Sequence, residues 1–420
     1  MRQITEVSFI HAYGITVRRL ILVVERVLGS WFRLRVLLSG LGTPMEDDMD
    51  DYEWDSAPEY EDDEWYCRSI ARYNELVMFD LEDKVISFDL LDQGSLCLLC
   101  KKSSGLQVIL EHLLPSKIYK KTNENHTVRD TDMKIKSGVF PNAFVLQVVT
   151  SMSLMCSLYN ENKLITSEEH LSGVNIYHLG SSETDQNEKC KTISAPLLEP
   201  RVSVVGKNVV LLAKDTSSPP VIVDLSSGEV KCTINCTSDI PCSLMPAAVS
   251  ETTIALCKET NGEVFLYDTR KHEGMWEING DQVSKYSICT SFDHRNPSGP
   301  NSTIGTISAN GNYKFYDLRN SKQELISGEL SLGCDDGIDL KMKISPSGKK
   351  VSVSGHNGTV IVYDLRDTLK EIFCHDGHQH MEHSSKNTLI TDHLWYDERC
   401  IISSADNHSL NCWQYIIAEN

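Results

Sequence analysis

One ten-residue phrase occurs three times in this chain, as Asn261-Gly-Glu-Val-Phe-Leu-Tyr-Asp-Thr-Arg270, Asn310-Gly-Asn-Tyr-Lys-Phe-Tyr-Asp-Leu-Arg319 and Asn357-Gly-Thr-Val-Ile-Val-Tyr-Asp-Leu-Arg366. Each copy is an Asn-Gly turn, an alternating apolar strand, then Tyr-Asp and an arginine. The aspartates Asp268, Asp317 and Asp364 are 49 and 47 residues apart. A fixed period of that size marks a repeat architecture, and it constrains the fold more tightly than length or composition does. Weaker echoes continue the ladder: Val221 to Leu225 with Asp224, Gly173 to His178, and Asn407 to Gln414. A seventh candidate strand is Leu106 to Leu110.

Between the phrases the chain reads as short strands and turns. After Arg319 come Gln323 to Leu330, Asp339 to Ile344, Val351 to Val353 and then Thr359 to Tyr363, each apolar or alternating and bounded by Gly, Pro, Asn or Ser. Four strands per period of 44 to 50 residues describe a propeller blade, a unit that must pack against neighbours in a ring. Tyr-Asp at the end of the third strand is a weak form of the Trp-Asp of WD repeats, and Trp413 keeps the tryptophan. Ser404, Asp406 and Ser409 stand ahead of it in the positions of that family's hydrogen-bonded network.

Residues 70–417 therefore resemble a WD-repeat propeller. The expected fold is all-β, a seven-bladed ring. The last blade has only three strands before the chain ends, so Glu75 to Leu81 is expected to supply its fourth and close the ring. Closure removes edges that would otherwise pair with other chains.

At 420 residues and 40% apolar content the chain can bury a large core, and the repeat makes that core one ring. The 14 cysteines are scattered. Cys97 and Cys100 sit three apart on one strand and face opposite ways, and Cys232, Cys236 and Cys242 have no histidine pair at zinc-finger spacing. Buried thiols in a reducing compartment are expected. The sequons at Asn125, Asn235, Asn301, Asn357 and Asn407 are taken as accidental, because two of them start tight turns.

Residues 1–44 form a basic and apolar extension with six arginines against Glu6 and Glu25. Leu20 to Leu38 is apolar but broken by Glu25, Arg26, Arg33 and Arg35, so it is too interrupted for a membrane span. The extension is expected to be disordered or a short helix, with Met45 as the usual start. From Glu46 the charge reverses. Residues 46–64 hold twelve acids and no base, interleaved with Tyr52, Trp54 and Tyr60 and followed by Trp65. Without residues 1–44 the balance is 34 Lys+Arg to 57 Asp+Glu, a net charge of −23. Residues 45–69 thus read as an acidic-aromatic tail with a short helix. Asp47, Asp48, Asp51, Trp54, Asp62, Asp63 and Trp65 are its candidate partner contacts, since aromatics dominate contact energy where they become buried. This charge disfavours direct nucleic-acid binding.

Catalytic motifs are missing: no glycine-rich phosphate loop, no Gly-x-Ser-x-Gly elbow, no zinc-protease helix. No enzyme activity, cofactor or metal site is expected. The densest cluster is Cys374, His375, His378, His380 and His383, read as a solvent-exposed loop between the sixth and seventh blades. His356 and His393 are read as satisfied by local hydrogen bonds. Asp268, Asp317 and Asp364 are expected to hold turns by accepting backbone N–H groups. Arg270, Arg319 and Arg366 are expected to form a row available to a partner. Asp406 and Trp413 are taken as structural.

Several stretches carry a closer resemblance: Asp62 to Trp65, Arg72 to Leu81, Val264 to Arg270, Val353 to Asp364, Thr391 to Trp395 and Ser403 to Trp413. They are similar to the WD repeat-containing protein 73 family of divergent propellers. The resemblance implies a non-enzymatic protein-interaction scaffold that assists cytoplasmic assembly of the RNA endonuclease module of the Integrator complex, with its nuclease subunits and a HEAT-repeat protein as partners. It also implies an alternative, regulation of microtubule organisation at the spindle pole or cleavage furrow. A −23 protein would reach acidic microtubules only through an intermediary.

Overall fold

The computed structural model describes the backbone of four short strands between residues 3 and 31 and most of residues 65–416. Residues 32–64, 115–145 and shorter stretches between strands lie outside the described residues. Two compact units are distinguished, Met1–Glu61 with Ile135–Pro141, and Asp62–Lys134 with Asn142–Asn420. In the first unit Gln3–Glu6 pairs with Ile21–Val24, and Arg26–Val27 with Ser30–Trp31. For the extension, expected to be disordered or a short helix, the described residues are these four short strands. The run Ile21-Leu-Val-Val24 is rich in β-branched residues, which favour a pleated strand over a helix.

The second unit carries, among the described residues, seven four-stranded antiparallel sheets. Blade one runs from Lys84–Leu90 through Ser95–Lys101 and Gln107–Leu113 to Leu146–Val148. Blade two begins at Met152–Leu158, blade three at Arg201–Gly206, blade four at Leu244–Ala248, blade five at Tyr286–Thr290, blade six at Lys341–Ile344 and blade seven at Ile390–Trp395. The first strand of each blade lies beside the first strand of the next, and Ile390–Trp395 lies beside Lys84–Leu90. First strands are therefore innermost and the ring is closed. It is a WD-repeat β-propeller.

Closure comes from Tyr73–Asp80, which pairs antiparallel with Ser409–Tyr415 over the register Ser409↔Asp80 to Tyr415↔Tyr73. Both ends of the ring are thus held in one sheet. The core is a series of wedges between adjacent blades. Ile165, Val174 and Ile193 meet Val204, Val210 and Val221 between blades two and three. Val360, Val362 and Phe373 meet Ile401, Trp413 and Tyr415 between blades six and seven. The strands reflect this: Val264–Asp268 alternates strictly, while Lys350–Ser354 and Cys400–Ala405 are buried on both faces.

The repeated Asn-Gly turns join second and third strands. Gly262 and Gly311 have φ of 72° and 86°, in the left-handed region that favours glycine. A Cβ on Gly311 would stand 2.2 Å from the Leu330 carbonyl oxygen, so the neighbouring backbone also excludes a side chain. Among the described residues no helix is long and apolar enough to cross a membrane.

Candidate functional site

Antiparallel pairing sorts the connections onto two faces. Asp224, Asp268, Asp317 and Asp364 end third strands opposite Val209, Thr253, Thr303 and Lys350, the first residues of second strands. These four carboxylates therefore share one face, and the Asn-Gly turns lie on the other.

On the first face the repeated Asp-x-Arg builds the same fork three times. Asp268 accepts the backbone N–H of Arg270 at 2.9 Å, and the guanidinium returns Nε and Nη2 to its carboxylate at 2.9 and 2.6 Å. The matching distances are 3.0, 3.0 and 2.6 Å for Asp317 with Arg319, and 2.9, 3.0 and 2.7 Å for Asp364 with Arg366. Arg270, Arg319 and Arg366 pair with the aspartate of their own repeat, yet their side chains remain 66, 78 and 65% exposed. Hydrogen bonds from Arg319 and Arg366 hold the Asp317 and Asp364 carboxyls below their usual range. Fixed by two parallel bonds, each guanidinium is a pre-oriented donor at the surface. A fourth fork, Asp293 with Arg295, lies in the first connection of blade five. Its Asp-x-Arg spacing is plain in the sequence but falls outside the repeat, and so was missed.

Of the candidate tail contacts, Asp47, Asp48, Asp51, Trp54, Asp62 and Asp63 lie outside the described residues. Trp65 sits in a helical turn with Arg68 and Ser69. Its ring is 4% exposed and stacks on His380 with centroids 4.3 Å apart, so it is committed inside the protein.

The histidine-rich segment corrects the expectation of an exposed loop, because His375 and His378 are fully buried. Trp413 Nε1–H donates to Ser403 Oγ at 3.1 Å, and Ser403 Oγ lies 2.8 Å from His378 Nε2. His378 Nδ1 lies 2.5 Å from Ser409 Oγ, which donates to Asn407 Oδ1 at 2.5 Å. Asn407 Nδ2 closes the circuit on the His378 carbonyl at 2.7 Å. The network uses Ser403 and Asn407 in place of the expected Ser404 and Asp406. Adjacent strand residues face opposite sides, and Ser404 turns to Thr391 Oγ1 at 2.7 Å while Asp406 accepts the Leu389 N–H at 2.8 Å.

A second layer ties in the closing strand. His375 lies 2.8 Å from the Tyr73 hydroxyl, receives Asn411 Nδ2 at 3.2 Å, and stacks on Trp413 at 4.5 Å. Arg72 pairs with Asp376 at 3.2 Å and donates to the Cys374 carbonyl. Burial depresses His378 to about 3 and His375 well below its ordinary value, so both rings are neutral. Both nitrogens of each ring are engaged, and among the described residues no group of three or more side chains could hold a metal ion. His393 is likewise buried, 2.8 and 2.7 Å from the Ser352 and Ser354 hydroxyls, and His356 lies 3.3 Å from the Thr359 hydroxyl. These histidines build the ring.

The chain is 24% identical over 384 residues to the Integrator complex assembly factor WDR73 of Danio rerio, covering 85% of this chain and 97% of that protein. It is 23% identical over 374 residues to the Xenopus laevis protein of the same name, covering 83% and 96%. The chain is thus similar to both proteins over most of its length and theirs. No family model matches the chain. The features this family resemblance rests on fall largely on the closing strand and on blades four, six and seven. The Asp-x-Arg face and the closure are thus the parts of the molecule most open to a functional reading.

Proposed function

We propose that this chain is a non-enzymatic, protein-binding ring that assists assembly of the Integrator complex in the cytoplasm, contacting its RNA-cleaving subunits together with a HEAT-repeat partner. One observation carries the reading: the correspondence runs through 97 and 96% of two relatives that are named Integrator complex assembly factors. The geometry is compatible with it. The buried histidines are fully occupied by structural bonds, and the surface offers a row of fixed guanidiniums on adjacent blades. In this reading Arg270, Arg319 and Arg366 meet acidic groups of the partner, and the acidic residues 46–64 meet its basic surface. A role in assembly requires reversible contact, which exposed charge provides, because salt screens it.

The test is recovery of partners from cytosol with tagged full-length chain, read by mass spectrometry. Integrator subunits, the nuclease pair among them, are expected to be enriched over an unrelated propeller. Enrichment of tubulin with no Integrator subunit overturns the reading. Deleting residues 45–64 should weaken the interaction at low salt; unchanged affinity removes the tail from the proposal.

A further inference from the structure

In blades four to seven an asparagine stands where the second strand turns into the third, at Asn261, Asn310, Asn357 and Asn407, and the first three precede glycine. Asparagine before glycine can lose its amide without an enzyme. The glycine nitrogen attacks the side-chain carbonyl carbon, and ammonia leaves. The rate depends on the donors at the carbonyl oxygen, on the freedom of the amide nitrogen to leave and on the freedom of the glycine N–H to attack. The four turns differ in these respects.

At Asn357 the carbonyl oxygen is held and the other two groups are open. Its Oδ1 accepts the Thr359 N–H at 2.8 Å and the Thr359 hydroxyl at 2.6 Å. The hydroxyl gives its one hydrogen to Asn357, so its oxygen receives His356 Nε2–H, 3.3 Å away, and the tautomer is fixed. His356 Nδ1 is then a buried lone pair with no partner among the described residues, on a ring that burial keeps neutral by lowering it to about 4. A buried polar atom left unsatisfied points to a role beyond packing. Among the described residues neither Asn357 Nδ2 nor the Gly358 N–H makes a hydrogen bond. The left-handed residue of this turn is Gly355, with φ of 96°, so Gly358 is not needed to close it.

Each of the other turns lacks at least one of these features. Gly262 N–H donates to the Lys258 carbonyl and Gly311 N–H to the Ser308 carbonyl, both at 2.9 Å, so both nitrogens are tied. Asn261 Oδ1 accepts the Glu263 N–H at 3.2 Å, and its amide is hydrogen-bonded to the Glu263 carboxylate. Asn310 is exposed, with no side-chain hydrogen bond among the described residues to activate it. Asn407 has the same pair of donors as Asn357, the Ser409 N–H at 3.3 Å and the Ser409 hydroxyl at 2.5 Å. There, however, Nδ2 is held by the His378 carbonyl at 2.7 Å, and His408 stands in place of glycine.

We propose that Asn357 is a self-modifying site, deamidated by the backbone of its own turn. Gly358 N bonds to Asn357 Cγ while the Thr359 N–H and hydroxyl, already in place, meet the charge developing on Oδ1. The Cγ–Nδ2 bond breaks, and Nδ2 leaves as ammonia with the proton from Gly358. Water then opens the cyclic imide at either carbonyl, giving aspartate or isoaspartate. Thr359 is the catalytic residue, and His356 is a positioning residue that acts through it. The product acts on the seam. The Asn357 carbonyl accepts the Ile390 N–H of blade seven at 3.2 Å. A Cβ on Gly358 would stand 3.0 Å from Gln379 Cγ and 3.2 Å from the Thr388 carbonyl oxygen, so the main chain is crowded there. Isoaspartate adds a methylene to that main chain and turns the carbonyl into a pendant carboxylate, which loosens the junction of blades six and seven. The turn is a timer on the closed ring, and it runs once per molecule.

The test is incubation of the purified full-length chain at neutral pH, sampled over weeks, then digestion in acid and peptide mass spectrometry that separates asparagine, aspartate, isoaspartate and imide. Asn357 should convert about tenfold or more ahead of Asn261, Asn310 and Asn407. In urea the lead should vanish, with Asn261, Asn310 and Asn357 reacting at similar rates and Asn357 more slowly than in the folded chain. Thr359→Val should slow Asn357 about tenfold or more, and Thr359→Ser, which restores the hydroxyl, should recover most of that loss. His356→Phe should slow it severalfold. Asn261 and Asn310 report folding in the same samples, because their rates rise to the urea level if a variant unfolds. Asn357 no faster than Asn310 in the folded chain, Asn357 faster in urea, or an unchanged rate in Thr359→Val overturns the inference. In aged protein carrying isoaspartate at this position, hydrogen exchange should quicken in Ile390–Trp395 before it does in blade four. Unchanged exchange there overturns the timer alone.

Discussion

The Asp-x-Arg forks and the His378 network are both polar constellations, and they differ in nearly everything else. A fork closes within three residues, holds its guanidinium largely in solvent and recurs on blades four, five and six. The His378 network draws on residues from 378 to 413, reaches Tyr73 through His375, and is buried throughout. A fork can form in any copy of the repeat, because its partners arrive with the local chain. The network's His375 layer can be completed only once the ring has closed, because Tyr73 comes from the other end of the propeller. Stability should therefore be concentrated at the seam between blades six and seven, while the forks remain available for recognition.

The strongest way to break this contrast is Trp413→Ala. The ring is fully buried, stacked on His375 and 5.6 Å from Phe373, and it donates to Ser403. Its removal should cost about 3–5 kcal/mol, measured by urea denaturation. A loss below about 1 kcal/mol would mean that the seam is not where the ring is held.

Acid should separate the two regions next. His378 and His393 are depressed to about 3 and His375 also lies well below its ordinary value, all by burial. Below the ordinary histidine value of about 6.5 the unfolded chain binds protons that the folded chain refuses. The stability is present above that pH and is lost as pH falls toward 3, at about 1.4 kcal/mol per pH unit for each histidine. The forks behave differently. Asp317 and Asp364 have lowered values, so their contribution is lost only in still more acid solution. Denaturation midpoints at pH 7.5, 6 and 5 should fall steeply, and His378→Gln should shallow the slope by one proton. A flat profile would contradict neutral buried histidines.

Arg72→Met probes the seam more gently. The variant removes a pair with Asp376 that is about one-third exposed, together with the bond to the Cys374 carbonyl. A loss of about 1 kcal/mol is expected. Hydrogen exchange should quicken in Tyr73–Asp80 before it does in blade four. Uniform change around the ring would show that the closing strand is not an independent unit.

The turn-holding role of the aspartates was legible because its physics is local, a strand-ending carboxylate accepting the N–H two residues on. The return of each guanidinium to that same carboxylate was not read from the sequence. The blades were legible for a related reason, since period and alternation report strands directly. The closing strand Tyr73–Asp80 could be placed because the last blade lacked a partner. The histidine segment misled because polarity was read as exposure. His375 and His378 are buried by groups up to about three hundred positions away, and nothing adjacent to them announces Tyr73, Ser403 or Asn411. The shift from Ser404 and Asp406 to Ser403 and Asn407 has the same origin. Strand residues alternate faces, and a one-residue error in register exchanges core for surface.

The smallest effect tests whether the forks themselves are alike. Asp268 and Asp317 make the same three bonds, but their side chains are 2% and 22% exposed. In Asp268→Asn the buried position keeps an amide that cannot accept two guanidinium bonds and the backbone N–H as a carboxylate does, and about 1–3 kcal/mol should be lost. In Asp317→Asn water replaces the missing acceptor, and the change should stay within about 0.5 kcal/mol. Thermal melts of the two variants in low and high salt decide it. Equal losses would show that the fork geometry matters more than its burial, and would make Arg319 as much a part of the scaffold as the wedge beneath it.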